Sequence, residues 1–179
     1  MLEQRIQQQF FDSADLLYRC AETMARPVAE AAGALLAALT SGGKVLVCGS
    51  GAGAALAPHF ARLFTGRFER ERPPLAAVAL GVRAAQEVRA LGLPGDVLLY
   101  IDDADDGHTT VISAAQAKDM TIVVLAGRSA QAFGELLAET DVLVAVPHER
   151  GARVTELQLL VIHCLCDAVD YQLMGEQEK

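Results

Sequence analysis

The sequence predicts an α/β fold built on a parallel sheet, and three observations carry that prediction. Five short apolar runs have strand character without clean alternation, the pattern of strands covered on both faces. Ala-rich segments of helical period lie between them, so strand and helix alternate as in a doubly wound sheet. Aromatic residues make up only 5% of the chain and tryptophan is absent. Ala, Leu and Val therefore do the packing, which suits helix-on-sheet layers better than a β-sandwich.

Two helices are expected before the sheet. The first runs from Leu2 to about Cys20 with Leu2, Ile6, Phe10 and Leu17 on one stripe. The second has Pro27 in its first turn and ends at Ser41-Gly42-Gly43, ahead of the first strand. The strand runs are Lys44–Gly49, Leu75–Leu80, Asp96–Ile101, Thr121–Ala126 and Asp141–Pro147. Helical segments fall at Ala54–Gly66, Arg83–Leu91, Thr109–Lys118 and Ala130–Glu139. A last helix, from Gly151 to about Met174, is apolar on nearly every side, and a terminal helix of that kind needs a partner beyond its own domain. With 179 residues the chain suits one domain: 1–43 as N-terminal helices, 44–150 as the core, 151–179 as C-terminal helix and tail.

A formal net charge of −8 argues against direct nucleic-acid binding, because neutralising phosphates requires a basic face. Cys20, Cys48, Cys164 and Cys166 are too few and too irregular for a disulfide scaffold and read as reduced core thiols. No apolar run reaches about 18 residues and no signal peptide is recognisable, so a cytoplasmic protein without a membrane span is expected.

Gly49-Ser50-Gly51-Ala52-Gly53-Ala54 lies between the first strand and a helix, where small residues let backbone N–H groups approach a phosphate. The run fits a relaxed dinucleotide fingerprint. However, Leu80-Gly81 stands where a nicotinamide site wants an acid, and the Gly-Lys-Ser/Thr of a P-loop is missing. A tight strand-to-helix turn with no ligand explains the same residues.

The run from Val47 to Leu80, including His59-Phe60-Ala61 and Arg67-Phe68-Glu69-Arg70-Glu71-Arg72-Pro73, resembles the sugar isomerase (SIS) domain family. Gly95-Asp-Val-Leu-Leu99, Asp119–Gly127 and Pro147-His-Glu-Arg-Gly-Ala-Arg153-Val-Thr-Glu156 carry the likeness to the end of the chain. Within the family the chain is similar to the phosphoheptose isomerase branch, and closest to its non-catalytic DiaA-type members, which associate with the replication initiator DnaA. The resemblance implies a five-stranded parallel sheet, a homotetramer and a phosphosugar pocket at the strand ends shared between subunits.

On that resemblance, the pocket would hold Ser50, Gly51, Gly53, His59, Asp102 and Asp103. The acid/base carboxylate of the isomerases would stand at Leu63 and their catalytic histidine at Gln158, neither of which exchanges a proton near neutral pH. The family's phosphate loop is replaced by a stretch holding four carboxylates between Asp102 and Asp106, which repel a phosphate. The segment after Leu80 is also shorter than in relatives. His59 and His163 fall where some isomerases hold a metal. Leu63 and Thr155 cannot complete such a site, so a hydrogen-bonded histidine pair, with no metal and no cofactor, is expected. His108 and His148 read as surface loop residues.

Taken together, the expectation is a vestigial pocket without catalytic residues, on a non-catalytic adaptor that binds DnaA through Leu173 and Met174 and promotes its assembly at the chromosomal origin. The alternatives are a phosphoheptose isomerase acting on sedoheptulose 7-phosphate, and a phosphosugar-binding sensor without catalysis.

Overall fold

The computed structural model describes residues 1–102, 108–127 and 130–175. In chain order the elements are α1 (Leu2–Thr40), β1 (Val45–Gly49), α2 (Gly51–Thr65), β2 (Ala77–Ala79) and α3 (Ala84–Leu91). There follow β3 (Val97–Ile101), α4 (His108–Gln116), β4 (Thr121–Ala126), α5 (Ala130–Phe133), β5 (Val142–Ala145) and α6 (Gly151–Met174). The five strands form one sheet in the order β2-β1-β3-β4-β5, and every pairing is parallel.

Period-two alternation along the strands sends side chains into two separate layers. Val45, Val47, Leu99, Ile101, Val123 and Leu125 pack with α1, α2 and α6 on one face. Leu46, Cys48, Leu98, Tyr100, Ile122 and Val124 pack with α3, α4 and α5 on the other. The result is a three-layer sandwich whose central strands are covered on both sides, which explains why their sequences are continuously apolar. Asp96 anchors the start of β3: its buried carboxylate accepts from the backbone N–H groups of Lys44 and Leu93, each at 2.9 Å, and from Lys44 Nζ at 2.5 Å.

The N-terminal region departs from expectation. One helix of 39 residues replaces the two predicted, and Pro27 lies inside it. Proline removes a single backbone donor and crowds the preceding turn, a cost of about 3 kcal/mol in a helix interior. Here the buried stripe of Leu16, Cys20 and Met24 continues past the proline in phase as Ala31, Leu35 and Ala38, all in one core. Breaking the helix would strip that burial from one side, so packing outweighs the local penalty. The early stripe residues Leu2, Ile6, Phe10 and Leu17 remain exposed on this chain.

The last helix runs as expected and has the length and apolarity of a membrane span, with mean hydropathy 1.2 over its most apolar window. The fold accounts for that composition. Leu157, Val161, Ile162, Leu165 and Val169 fill the core between α6, α1 and the sheet. Buried Arg153, in its first turn, donates to Gln9 Oε1 at 2.7 Å and also reaches Ser13 and Glu156, which ties α6 to α1.

Candidate active site

A cleft of about 590 Å³ opens at the C-terminal end of the sheet, on the α3–α4 side. That is where an open parallel sheet is expected to hold a ligand. Its floor is Cys48 to Gly51 and Tyr100, and its walls come from Gly81 to Gln86 with Arg89 and from Thr110 and Val111. The glycine loop shapes the floor. Gly51 begins α2 with φ +51°, a backbone setting that favours glycine. A Cβ on Gly53 would run into the carbonyl of Ile101, so this glycine lets α2 start flush against β3. Ser50, the residue before α2, donates no cap bond and instead gives its hydroxyl to Asp102 Oδ1 at 3.3 Å. The Cys48 thiol is pushed up to about 12, first by burial and then by Glu87, and so stays protonated.

Of the expected pocket residues, Ser50 and Gly51 line this cleft. Gly53 lies beneath it as a packing glycine, and Asp102 is fully buried behind Ser50. Asp103 and the rest of the acidic stretch, 103–107, fall outside the described residues. His59 does not line the cleft; it stands nine residues along α2 from Ser50 and faces α6 instead. Leu173 and Met174 are exposed at the end of α6. His108 differs from expectation: it opens α4, is buried, and stacks on Phe133 with ring centroids 4.6 Å apart. His148 lies in a loop, where its Nδ1 accepts the Arg150 N–H at 2.9 Å.

Two helices bring together a second group. His59 Nε2 on α2 and His163 Nε2 on α6 are 3.3 Å apart, both rings half-buried. Arg62, one turn after His59, approaches its Nδ1 at 3.4 Å. If the guanidinium donates there, the His59 proton sits on Nε2 and is shared with His163. The Phe68 ring covers the other side of His163, with centroids 5.4 Å apart. Burial, then His163, then Arg62 push the His59 imidazole below its ordinary value, so the ring is neutral at pH 7 and ready to accept a proton. Among the described residues no three His, Cys, Asp or Glu side chains gather as a metal site.

Gln158 has a different role from the one its sequence position implies. It is fully buried, and its Nε2 donates to the main-chain carbonyls of Asp102 at 2.7 Å and Leu125 at 3.1 Å. The side chain thus clamps the ends of β3 and β4 from below. Replacing it with leucine removes the donor to both carbonyls, although Leu125 O keeps the Asp102 N–H at 2.8 Å, and each lost hydrogen bond costs about 0.5–1.5 kcal/mol. We expect the Gln158→Leu variant to melt several degrees lower in a thermal unfolding experiment.

Architecture and comparison now agree. The SIS domain profile matches residues 9–127, and the chain belongs to the SIS-domain family, on its phosphoheptose isomerase-like branch. A phosphoheptose isomerase from Methylibium petroleiphilum is 51% identical over 196 aligned positions, covering 99% of this chain and 98% of its own. The phosphoheptose isomerase of Francisella tularensis superimposes with a TM-score of 0.89 at 31% identity, covering 95% of this chain and 98% of its own. That of Neisseria gonorrhoeae gives 0.84 at 34%, covering 95% and 99%. The 196 positions of the first alignment exceed the 179 residues of this chain, so the relative has residues that this chain lacks.

These relatives correct two expectations, that the chain is a non-catalytic DnaA-binding adaptor and that it is no enzyme. Proteins matching it over nearly their whole length are phosphoheptose isomerases. The non-catalytic reading weighs only Leu63 and Gln158, whereas the His59–His163 pair, expected from the sequence and present at 3.3 Å, also holds groups that exchange protons near neutral pH.

Proposed function

We propose that this protein is a phosphosugar isomerase of the phosphoheptose isomerase type, with His59 and His163 as its proton-transfer pair. The observation that carries the proposal is the 3.3 Å contact between these two imidazoles on an isomerase scaffold. Interconverting a ketose and an aldose requires removing a proton from the carbon beside the carbonyl and returning one to the adjacent carbon. An imidazole pair at this distance, with His59 as the base, can take up that proton and release it near pH 7. Leu63 contributes no proton chemistry; it packs against the core beside the pair.

The pair stands away from its own cleft, so the catalytic unit is completed by a second copy whose His59 and His163 close over the neighbour's strand ends. Self-association, expected as a homotetramer, is supported by an apolar groove of about 400 Å³ between α1 and α6, lined by Leu17, Met24, Val28, Leu157 and Leu160. Exposed Ile6, Phe10, Phe11 and Tyr18 on α1 extend that apolar surface. All four cysteines are free thiols, which supports a cytoplasmic setting.

The test is incubation with sedoheptulose 7-phosphate in D₂O, followed by NMR. Deuterium should enter the sugar beside the carbonyl as the aldose accumulates. Unlabelled sugar recovered from a folded, assembled preparation would refute the proposal.

A further inference from the structure

The wall of the cleft built by α3 carries positive charge that no side chain among the described residues pairs with. Arg83, Gln86 and Arg89 recur every three residues, so they share one side of the helix, and all three line the cleft. Neither guanidinium forms an ion pair or hydrogen bond among the described residues. Glu87, the acid closest to them in sequence, is engaged by the Gly81 N–H, which it accepts at 2.7 Å, and so pins the loop before α3. Only residues 80–83 join β2 to α3, so this short link sets the first turn of α3 directly above the end of β1. Opposite stand the hydroxyls of Ser50 and Thr110, near the starts of α2 and α4, where helix N-termini also favour negative charge.

The described lining contains two guanidinium groups and no carboxylate, on a chain with a net charge of −8. An excess of unpaired arginine in a concave site, within an otherwise acidic protein, marks a place for an anion. We infer that Arg83 and Arg89 are the specificity-determining residues of the cleft, gripping the phosphate group of a phosphorylated sugar from the α3 side. Guanidinium groups suit this task because their planar N–H forks match phosphate oxygens. The identity of the ligand as a sugar phosphate rests on the isomerase reading; the anion preference rests on the cleft alone.

Binding separates the two. Calorimetric titrations with sedoheptulose 7-phosphate, unphosphorylated sedoheptulose and inorganic phosphate should be run on the wild type, Arg83→Ala, Arg89→Ala and the double variant. Each single substitution should weaken the phosphorylated sugar by on the order of tenfold or more, as loss of a charge-assisted hydrogen bond does. Inorganic phosphate should weaken in parallel and the unphosphorylated sugar should be unaffected. Arg26→Ala removes an equal charge from α1, on the opposite face of the sheet, and should change nothing. Retention of wild-type affinity by the double variant would overturn the inference, as would a wild type that binds both sugars equally. Arginine-dependent binding without deuterium exchange would leave this inference standing and remove the isomerase reading. Exchange with arginine-independent binding would do the reverse.

Discussion

Replacing Arg72 with alanine is expected to lower the unfolding free energy by about 3–5 kcal/mol, the usual cost of removing one partner of a buried ion pair. Arg72 sits in the segment between α2 and β2, with its side chain almost wholly buried against Asp170 of α6. Its Nε donates to Asp170 Oδ1 at 2.5 Å, and its terminal nitrogens donate to the carbonyls of Leu63 and Phe64, each at 2.8 Å. One guanidinium therefore closes the end of α2 and neutralises the Asp170 carboxylate. Without it, the buried Asp170 carboxylate loses its counter-ion with Oδ2 already unpartnered, and the Leu63 carbonyl loses its donor while Phe64 O keeps the Leu75 N–H at 2.9 Å. Urea titration of Arg72→Ala measures the loss, and a change below about 1 kcal/mol would show that the pair is not a structural lock. Lysine should rescue poorly because a single ammonium cannot reach the carboxylate and both carbonyls together. Removing both charges, as in Arg72→Met with Asp170→Leu, should restore much of the stability, since the desolvation cost disappears with them. The lock also bears on the candidate site, because the segment it holds places Phe68 over His163.

That lock shows where the sequence stops being legible. Its partners lie 98 residues apart, and neither stands out among the other charged residues until the fold joins them. The strands are different, because burial on both faces leaves a local signature. Thr121–Ala126 is read with its observed ends, and Asp96–Ile101 differs from β3 by one residue. The edge strands are shorter than their apolar runs, three residues in β2 against Leu75–Leu80 and four in β5 against Asp141–Pro147, since each has one neighbour to pair with. Pro27 misleads because a helix break is a local rule, and the α1 stripe is rewarded by contacts with distant strands. The same division runs through the site. Ser50 and Gly51 are readable from the glycine loop, whereas the facing of Arg83 and Arg89 into the cleft depends on how α3 is rotated. The His59–His163 pair is legible as well, whereas the hold of Gln158 on the ends of β3 and β4 depends on how α6 packs against the sheet.

Replacing His163 with asparagine should reduce kcat/KM for sedoheptulose 7-phosphate by about 10²–10⁴-fold, the range typical of a lost acid/base group. Affinity measured by calorimetry should change little, because the ring works on the proton and not on the phosphate. Melting should shift modestly, since both histidines are half-buried and the fold's main locks lie elsewhere. The pH profile gives a second, independent readout. His59 titrates below its ordinary value, so it remains a base at pH values where a free imidazole, at about 6.5, is already half protonated. The acidic limb of the wild-type profile should accordingly lie below about 6.5. Arg62→Ala removes one of the charges that depress His59, and the limb should then move to higher pH. Stability follows the same sign. Between the two pKa values the unfolded chain binds more protons than the folded one, so the contribution of His59 is intact above about 6.5 and is lost as pH falls toward its folded value. A His163→Asn enzyme with undiminished kcat/KM, or an Arg62→Ala profile that does not move, would show that the proton is handled elsewhere. Both results together would leave the imidazole pair as packing alone and send the search for a base back to the cleft.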